Sequence, residues 1–163
     1  MHERLRTLAL VSIVALAGCQ GTPPKPAPPP DRVTSESELI VTTSFTIPAG
    51  GSGVYFQDNQ VQSRADLSAD FPYCHFELPA PVKNTLTVKP QRFRVTTVEY
   101  DEDASGPQGS FSSITRINLQ YGDLPNVPRV SCRLPGGADN RRFVTPAEIL
   151  GAMGAYFDLK VAP

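Results

Sequence analysis

The sequence predicts a mainly β protein: a small antiparallel β-sandwich or barrel-like domain with one short C-terminal helix, preceded by a signal peptide and a Pro-rich linker. Apolar and polar residues alternate with a period of two from Glu38 onward, which is typical of half-buried strands. Gly, Pro, Asn and Asp separate the alternating runs. With 163 residues, 40% of them hydrophobic, the chain has the length and composition of one globular domain.

The first 18 residues have the organisation of a signal peptide. A basic head with Arg4 and Arg6 precedes an apolar run, Leu8 to Leu16, that is too short to span a bilayer as a helix. The run ends at Leu16-Ala17-Gly18-Cys19, which resembles the lipobox of bacterial lipoproteins. The resemblance implies cleavage before Cys19 and lipid on its sulfur and new amino group. Two or three acyl chains anchor a protein firmly to a membrane.

The residues after the cleavage site predict where the domain lies. Gln20 is not the aspartate that usually retains lipoproteins in the inner membrane, so the resemblance implies the periplasmic face of the outer membrane. Residues 19–37 hold the lipidated cysteine and six prolines between positions 23 and 30, a composition that favours polyproline II. We interpret this segment as a linker that holds the domain, residues 38–163, clear of the lipid. A proline-rich ligand for a partner is the alternative.

Alternation outlines the strands in chain order. The runs are ELIVTTSFTI (38–47), GVYFQ (53–57), FPYCHFEL (71–78), RFRVTTVEY (92–100), FSSITRINLQY (111–121) and RVSCRL (129–134). In the fourth run the apolar face shifts from Val95 to Val98, which predicts a bulge. The glycine-rich stretch 48–53 lacks the features of a phosphate-binding loop and of a G-x-S-x-G nucleophile turn, so we expect a tight turn there.

The helix is predicted from its start signals. Thr145, Pro146 and Glu148 match the N-cap, N1 and N3 positions of a capping box. The apolar side of the helix comprises Ile149, Leu150 and Met153. Gly154 is expected to end it, and residues 155–161 can return as a final strand.

The three cysteines of the chain predict a disulfide. Lipid on Cys19 leaves Cys74 and Cys132, which both lie on the apolar face of their strands, and the periplasm oxidises such pairs. Closing a loop of roughly 60 residues stabilises a fold by about 4 kcal/mol in the chain-entropy model. A zinc site is the alternative, but two distant cysteines and the single histidine of the mature chain fall short of four ligands. We expect no metal and no cofactor.

His75 alternates with Cys74 and is therefore predicted on the outer face, with Tyr73 and Glu77. Adjacent strand residues point apart, so Cys74 and His75 cannot act as a catalytic couple, and we expect a solvated histidine. Asp101–Gly106 matches the first half of a calcium loop, although Ser112 occupies the position of the bidentate glutamate. A charged hairpin loop is the alternative, and the sequence leaves this question open.

Arginines fall in pairs on predicted strand faces. The pairs are Arg92 with Arg94 and Arg129 with Arg133. Neighbouring strands would combine them into a basic surface for an anionic glycan, lipopolysaccharide or an acidic protein. We favour cross-strand ion pairs with residues such as Glu77 and Glu99 instead. The formal net charge of −1 argues against a nucleic-acid partner.

Several motifs together resemble a group of small, functionally uncharacterised lipoproteins of Gram-negative bacteria. The motifs are IPAG (47–50), FQ (56–57), PYCxFE (72–77), Cys132 and TPAEILGAMGAYF (145–157). The resemblance covers roughly residues 45–160. It implies a location in the cell envelope and pairing of Cys74 with Cys132, and it implies no activity.

These observations predict a non-enzymatic binding or structural module of the cell envelope. It meets the membrane through its lipid anchor, and its partner is an envelope protein or a glycan. An inhibitor or adaptor that docks an enzyme or a secretion or envelope machine is the alternative. A protruding loop near residues 101–110 would favour that alternative, and a broad sheet face lined by arginines would favour the first. The sequence shows no arrangement of catalytic residues, so we do not expect an enzyme.

Overall fold

The alternating runs fold into strands, and the capping box begins a helix. The computed structural model describes residues 32–103, 112–121, 128–136 and 142–162. Its elements are β1 (Glu38–Val41), β2 (Phe45–Ile47), β3 (Gly53–Gln57), β4 (Gln60–Gln62), β5 (Tyr73–Glu77), β6 (Leu86–Val88), β7 (Gln91–Asp103), β8 (Ser112–Gln120), β9 (Arg129–Pro135), α1 (Pro146–Met153) and β10 (Phe157–Lys160). The mainly β fold with one short C-terminal helix confirms the predicted class.

Eight of these strands form one curled antiparallel sheet. Its strand order is β10-β1-β7-β8-β9-β5-β3-β4, and the short strands β2 and β6 pair separately as a two-stranded ribbon. The inner face of the sheet, the ribbon and α1 enclose the core. Phe45 of the ribbon meets Phe56 and Phe76 of the sheet edge-on, with ring centroids 5.2 and 5.3 Å apart. Such aromatic contacts add to the stabilisation from area burial.

The predicted run 38–47 is two strands rather than one, so this expectation is wrong. β1 joins the large sheet, whereas β2 joins the ribbon. Between them, the backbone N–H groups of Thr42 and Thr43 both donate to the carbonyl of Tyr156, at 2.8 and 3.3 Å. Alternation continues through the break because Leu39 and Phe45 both face the core, and period-two patterning does not reveal a change of partner strand.

The predicted bulge is confirmed, because the register of β7 with β8 shifts between Val95 and Thr97. The bulge lies beside residues that the sequence assigned to the linker. The N–H of Glu36 donates to the carbonyl of Val95 at 3.0 Å, and the N–H of Val95 donates to that of Ser37 at 2.8 Å. Val33 is 3% exposed and Ser37 is fully buried. The folded domain therefore already includes the last residues before Glu38.

The helix begins as the capping box predicts. The Thr145 hydroxyl accepts the N–H of Glu148 at 3.3 Å, and the Glu148 carboxylate accepts the N–H of Thr145 at 2.9 Å. Arg142 binds the same carboxylate with both terminal nitrogens, at 2.8 and 2.7 Å. The hydrogen bond from Arg142 is the largest influence that lowers the pKa of Glu148, to about 2. Gly154 follows the last helical residue and donates to the carbonyl of Leu150.

The glycine-rich stretch before β3 is the expected turn. Gly50 has φ of +80°, a conformation that residues with a side chain rarely adopt. Backbone hydrogen bonds then join the turn to the chain after β5: Gly50 donates to Val82, Val82 donates to Gly51, and Leu78 donates to Ser52. The turn thus fixes the start of β3 against β5, where the outer face described next is built.

Candidate functional site on the outer face of the sheet

The predicted disulfide is confirmed and lies under the site. Cys74 and Cys132 are direct register partners on β5 and β9, with their Cα atoms 4.0 Å apart. Both are essentially buried, at 1% and 0% exposure, on the core side of the sheet. The bond links two central strands whose residues are far apart in the chain, and it fixes the register that positions the side chains on the opposite face.

The residues that alternate with Cys74 form a cluster on the outer face, as predicted. His75 on β5 lies opposite Tyr55 on β3 and Ser131 on β9, and Glu77 lies opposite Arg129. We call Tyr55, His75, Glu77, Arg129 and Ser131 the outer-face cluster. Three adjacent strands contribute to it, which is why local sequence patterns do not show its composition.

Glu77 is the electrostatic centre of the cluster. Its carboxylate accepts a hydrogen bond from Arg129 Nη2 at 2.6 Å and lies 3.3 Å from His75 Nδ1. Burial raises the pKa of this carboxyl, but the hydrogen bonds from His75 and Arg129 and the charge of Arg129 outweigh burial and lower the pKa to about 2. Glu77 is therefore ionised at neutral pH and held by its neighbours.

The imidazole of His75 lies against β3. It stacks on Tyr55 with ring centroids 4.0 Å apart and an interplanar angle of 8°. A Cβ atom at Gly53 would lie 2.7 Å from His75 Nε2, so the imidazole occupies the space that the missing side chain leaves. The side chain is 19% exposed. The expectation of a solvated histidine is therefore wrong, because a glycine on the neighbouring strand makes room for the ring.

The cluster holds serine, histidine and glutamate, but it does not assemble a catalytic triad. A triad needs the serine hydroxyl within hydrogen-bond reach of the imidazole nitrogen opposite the acid. Here Nε2 of His75 lies beside Gly53 on β3, whereas Ser131 lies on β9 on the other side of β5. Arg129 Nε is buried without a hydrogen-bond partner in the part of the chain that the structure describes. The buried Ser131 hydroxyl helps to lower the pKa of Glu77.

Three arginines on the strands, Arg92, Arg116 and Arg129, form ion pairs. Arg129 pairs with Glu77, Arg92 lies 3.5 Å from Glu38, and Arg116 pairs with Asp101. β8 separates β7 from β9, so the Arg92–Arg94 pair and the Arg129–Arg133 pair lie on strands that do not adjoin. The favoured expectation of cross-strand pairing is confirmed at Glu77. Glu99 accepts from the Asn118 amide instead, at 3.0 Å.

Part of the predicted calcium-binding motif, Asp101–Gly106, lies within the described residues. Asp101 is a residue of β7, where its carboxylate accepts the N–H of Glu102 at 2.8 Å and contacts Arg116. Ser105 and Gly106 lie outside the described residues, as does Cys19. In residues 32–103, 112–121, 128–136 and 142–162, no group of three or more His, Cys, Asp or Glu side chains is placed to hold a metal ion. No helix among these residues combines the length and apolar character needed to cross a membrane.

Gln57 has a structural role that the sequence reasoning missed. It is 5% exposed, and its side-chain amide donates to the carbonyls of Ser68 and Phe71 at 2.9 and 3.1 Å. Its carbonyl oxygen accepts the N–H of Ser68 at 2.8 Å. Gln57 therefore pins the loop that leads into β5 and the outer-face cluster. The one sequence feature that points to this role of Gln57 is its place in the FQ motif.

We compared the chain with protein-family models, curated proteins and solved structures, and none of them matches. The resemblance to small Gram-negative lipoproteins stays a prediction.

Proposed function

We propose that this protein is an outer-membrane-anchored periplasmic lipoprotein that acts as a non-enzymatic binding or structural module of the cell envelope. The observation that carries the proposal is the Cys74–Cys132 disulfide, because such bonds persist in oxidising compartments outside the cytoplasm. The basic head, apolar run and Cys19 of the N-terminus supply an export signal and an anchor for the same chain.

The geometry of the outer-face cluster supports binding over catalysis. A general acid or base works best with a pKa near the operating pH, whereas the pKa of Glu77 is about 2 and its oxygens are engaged by Arg129 and His75. The imidazole is stacked on Tyr55 and directed away from Ser131. Tyrosine and arginine are enriched at protein interfaces, so Tyr55, Tyr73 and Arg129 suit a contact surface.

The anchor is tested by metabolic labelling with palmitate. We expect the wild-type chain to incorporate label and Cys19→Ser to lose it, because Cys19 carries the acyl chains. Cys132→Ser is the matched control: it removes a different cysteine and should keep the label. Equal labelling of wild type and Cys19→Ser would refute the anchor.

The binding role is tested by site-specific photocrosslinking in intact cells. A crosslinking amino acid at Tyr73, beside the outer-face cluster, should capture an envelope partner. The control position is Lys83, which is exposed and is not a residue of β5 or of the outer-face cluster. Adducts at both positions in equal amounts, or at neither, would contradict a binding role for this face.

A second function, an adaptor that docks an envelope enzyme or machine, is favoured by a different observation. One edge of β7 has backbone groups without partners in the described residues.

A further inference from the structure

We infer that a cavity beside the start of α1, lined by Arg32 and Arg142, binds the phosphodiester head group of a lipid. The inference rests on the proposed lipid anchor, and it gives the domain a second contact with the same membrane. The cavity has a volume of about 350 Å³, within the range of small-molecule sites, and its walls include Arg32, Arg142, Phe143 and Thr145.

Buried neighbours hold both arginines at the cavity. Val33, the residue after Arg32, is 3% exposed and belongs to the core. Val144, two residues after Arg142, is 1% exposed, and its N–H donates to the Thr115 hydroxyl at 2.7 Å. Both arginines are nevertheless exposed to solvent. The backbone that carries them is therefore fixed, although their side chains are accessible to a ligand.

Arg142 presents one edge of its guanidinium group without a partner. A guanidinium group has five N–H donors. Nη1 of Arg142 donates to Glu148 Oε2 at 2.8 Å and to the carbonyl of Phe143 at 3.2 Å, and Nη2 donates to Glu148 Oε1 at 2.7 Å. The N–H of Nε and the second N–H of Nη2 have no partner among the described residues. Two parallel N–H groups of this kind match two oxygens of a phosphate.

Arg32 supplies a charge that no acidic group balances in the described parts of the chain. Its side chain has no hydrogen bond or ion pair there, whereas Arg142 is paired with Glu148 at 2.7 Å. The three side chains together therefore carry one net positive charge. A phosphodiester carries one negative charge and matches this balance. A phosphate monoester carries roughly −1.5 to −2 at pH 7 and would leave excess negative charge beside Glu148.

The capping box of α1 orients the site rather than providing it. The Thr145 hydroxyl donates to the Glu148 carboxylate at 2.8 Å and accepts the N–H of Glu148 at 3.3 Å. These bonds hold Glu148 in place, and Glu148 in turn fixes the guanidinium group of Arg142 with its free edge outward from the pair. The pKa of Glu148 is about 2, so this arrangement persists at neutral pH.

Phe143 provides an apolar wall beside the charges. It is half-buried, and its ring packs on Tyr100 with centroids 5.3 Å apart. A lipid carries apolar carbon next to its phosphate, whereas a free phosphate ion carries none. The wall therefore favours a lipid head group over the free ion, because burial of apolar surface adds to the affinity.

The position of Arg32 in the chain keeps the cavity close to the proposed anchor. Arg32 lies thirteen positions after Cys19. A chain of that length spans at most about 45 Å even when it is fully extended. If Cys19 is acylated, the cavity therefore stays within reach of the head groups of the membrane that holds the acyl chains.

The test is NMR of the full chain in nonionic detergent micelles, with the Arg142 Nε–H signal as the reporter. The probe is dihexanoyl-phosphatidylglycerol, a short-chain lipid with an anionic phosphodiester. It should shift this signal and the backbone N–H signal of Thr145 in a saturable manner, and added salt should weaken the effect. Dihexanoylglycerol has the same acyl chains without the phosphate and should shift neither signal. Inorganic phosphate should bind about tenfold more weakly than the phospholipid, because it makes no apolar contact with Phe143.

Two variants, read at the N–H signal of Thr145, locate the site. Arg32→Gln removes the unbalanced charge but no hydrogen bond or ion pair of the described residues, so the protein should fold and bind the phospholipid on the order of tenfold more weakly. Arg142→Lys keeps the charge but lacks the two parallel N–H groups, so it should also weaken binding. Arg64→Gln is the matched control, because it removes an exposed arginine that does not line the cavity, and it should bind like the wild type.

Equal affinities of the wild type and Arg32→Gln, or no shift of the Arg142 Nε–H signal with the phospholipid, would overturn the inference. Inorganic phosphate that binds as tightly as the phospholipid would assign the cavity to the free ion and overturn it as well. These readouts use a lipid added in solution and do not depend on acylation of Cys19. Failure of the cavity and failure of palmitate labelling are therefore distinguishable.

Discussion

Gly53 allows β3 and β5 to approach each other closely. A Cβ atom there would lie 2.1 Å from the carbonyl oxygen of Phe76 and 2.7 Å from His75 Nε2. We predict that Gly53→Ala lowers the free energy of unfolding by roughly 2–3 kcal/mol, because the backbone of β3 or β5 must move to make room for the added Cβ atom. Urea denaturation measures the change.

Gly151→Ala is the matched control for this substitution. Gly151 lies inside α1, and a Cβ atom there meets nothing within 4 Å. Because alanine has the higher helix propensity, this variant should gain about 0.5–1 kcal/mol. A Gly53→Ala protein as stable as the wild type would show that β3 and β5 are not in close contact at this point.

Glu77 links the outer-face cluster to acid stability. Its pKa is about 2 in the folded protein against an ordinary value of 4.5, so its ionised form stabilises the fold. This contribution is fully present above pH 4.5 and is lost as the pH falls toward 2. We predict that Glu77→Gln loses less stability between pH 7 and pH 3 than the wild type, as measured by urea unfolding at both values.

Glu148 titrates in the same window, since its pKa is also about 2. Glu148→Gln should therefore remove a separate part of the acid sensitivity. The free energy of unfolding of the double variant should change less with pH than that of either single variant. An unchanged pH dependence in Glu77→Gln would contradict the ion pair with Arg129.

The direction of single side chains was predictable from the sequence, but their contacts were not. Alternation correctly put His75 and Glu77 on the outer face and Cys74 in the core. The position of the imidazole depends on Gly53, about twenty residues earlier, which meets β5 only through the register of β3. A local pattern does not specify such a register.

At the scale of elements, the turn between β3 and β4 holds the end of the helix. Asp58 and Asn59 have φ of 53° and 60°, as in the two-residue turns of tight hairpins. The N–H of Asn59 donates to the carbonyl of Ala152, and its side-chain oxygen accepts the N–H of Ala155 at 3.0 Å. The hairpin thus satisfies helix-terminal groups that would otherwise lack partners.

Two substitutions separate the roles of Asn59. Asn59→Gly keeps the turn conformation and loses the bond to Ala155, so it should cost about 1 kcal/mol in unfolding free energy. Asn59→Ala also adds the strain of a left-handed conformation and should cost about 2 kcal/mol. Thermal or urea unfolding of both variants measures the difference. Equal stability of the two would show that the left-handed turn carries no strain.

Elements with strong local signals were predictable, and short elements were not. The Thr145–Glu148 capping box gave the helix start, and the shift of the apolar face gave the bulge in β7. The pattern missed the separation of β1 from β2 because the core lies on the same side of both. β4 and β6 have three residues each, too few for alternation to be recognised.

For the whole molecule, the disulfide is the main covalent constraint among the described residues. We predict that replacing both Cys74 and Cys132 with alanine lowers the free energy of unfolding by about 4 kcal/mol, since the unfolded chain regains the entropy of a long loop. Reduction of the wild type should have a similar effect in urea denaturation. A change below about 1 kcal/mol would mean that the unfolded state stays compact without the bond.

The order of strands in the sheet was beyond the reach of the sequence pattern. β5 pairs with β3 and β9, and β1 pairs with β7 and β10, so most neighbours are distant in the chain. Alternation specifies which side of each strand is apolar, but it does not specify the partner strand. The disulfide was the exception, because the two inward cysteines, together with the predicted oxidising compartment, indicate a pair of adjacent strands.

We propose a protein with an anchor at Cys19 and a disulfide-linked domain. Intact-mass spectrometry of the protein isolated from cell envelopes tests both features together. The predicted result is a chain that starts at Cys19, carries acyl groups on this residue and has no free thiols until it is reduced. A chain that keeps residues 1–18, or that is cleaved elsewhere without acylation and retains two free thiols, would contradict the account.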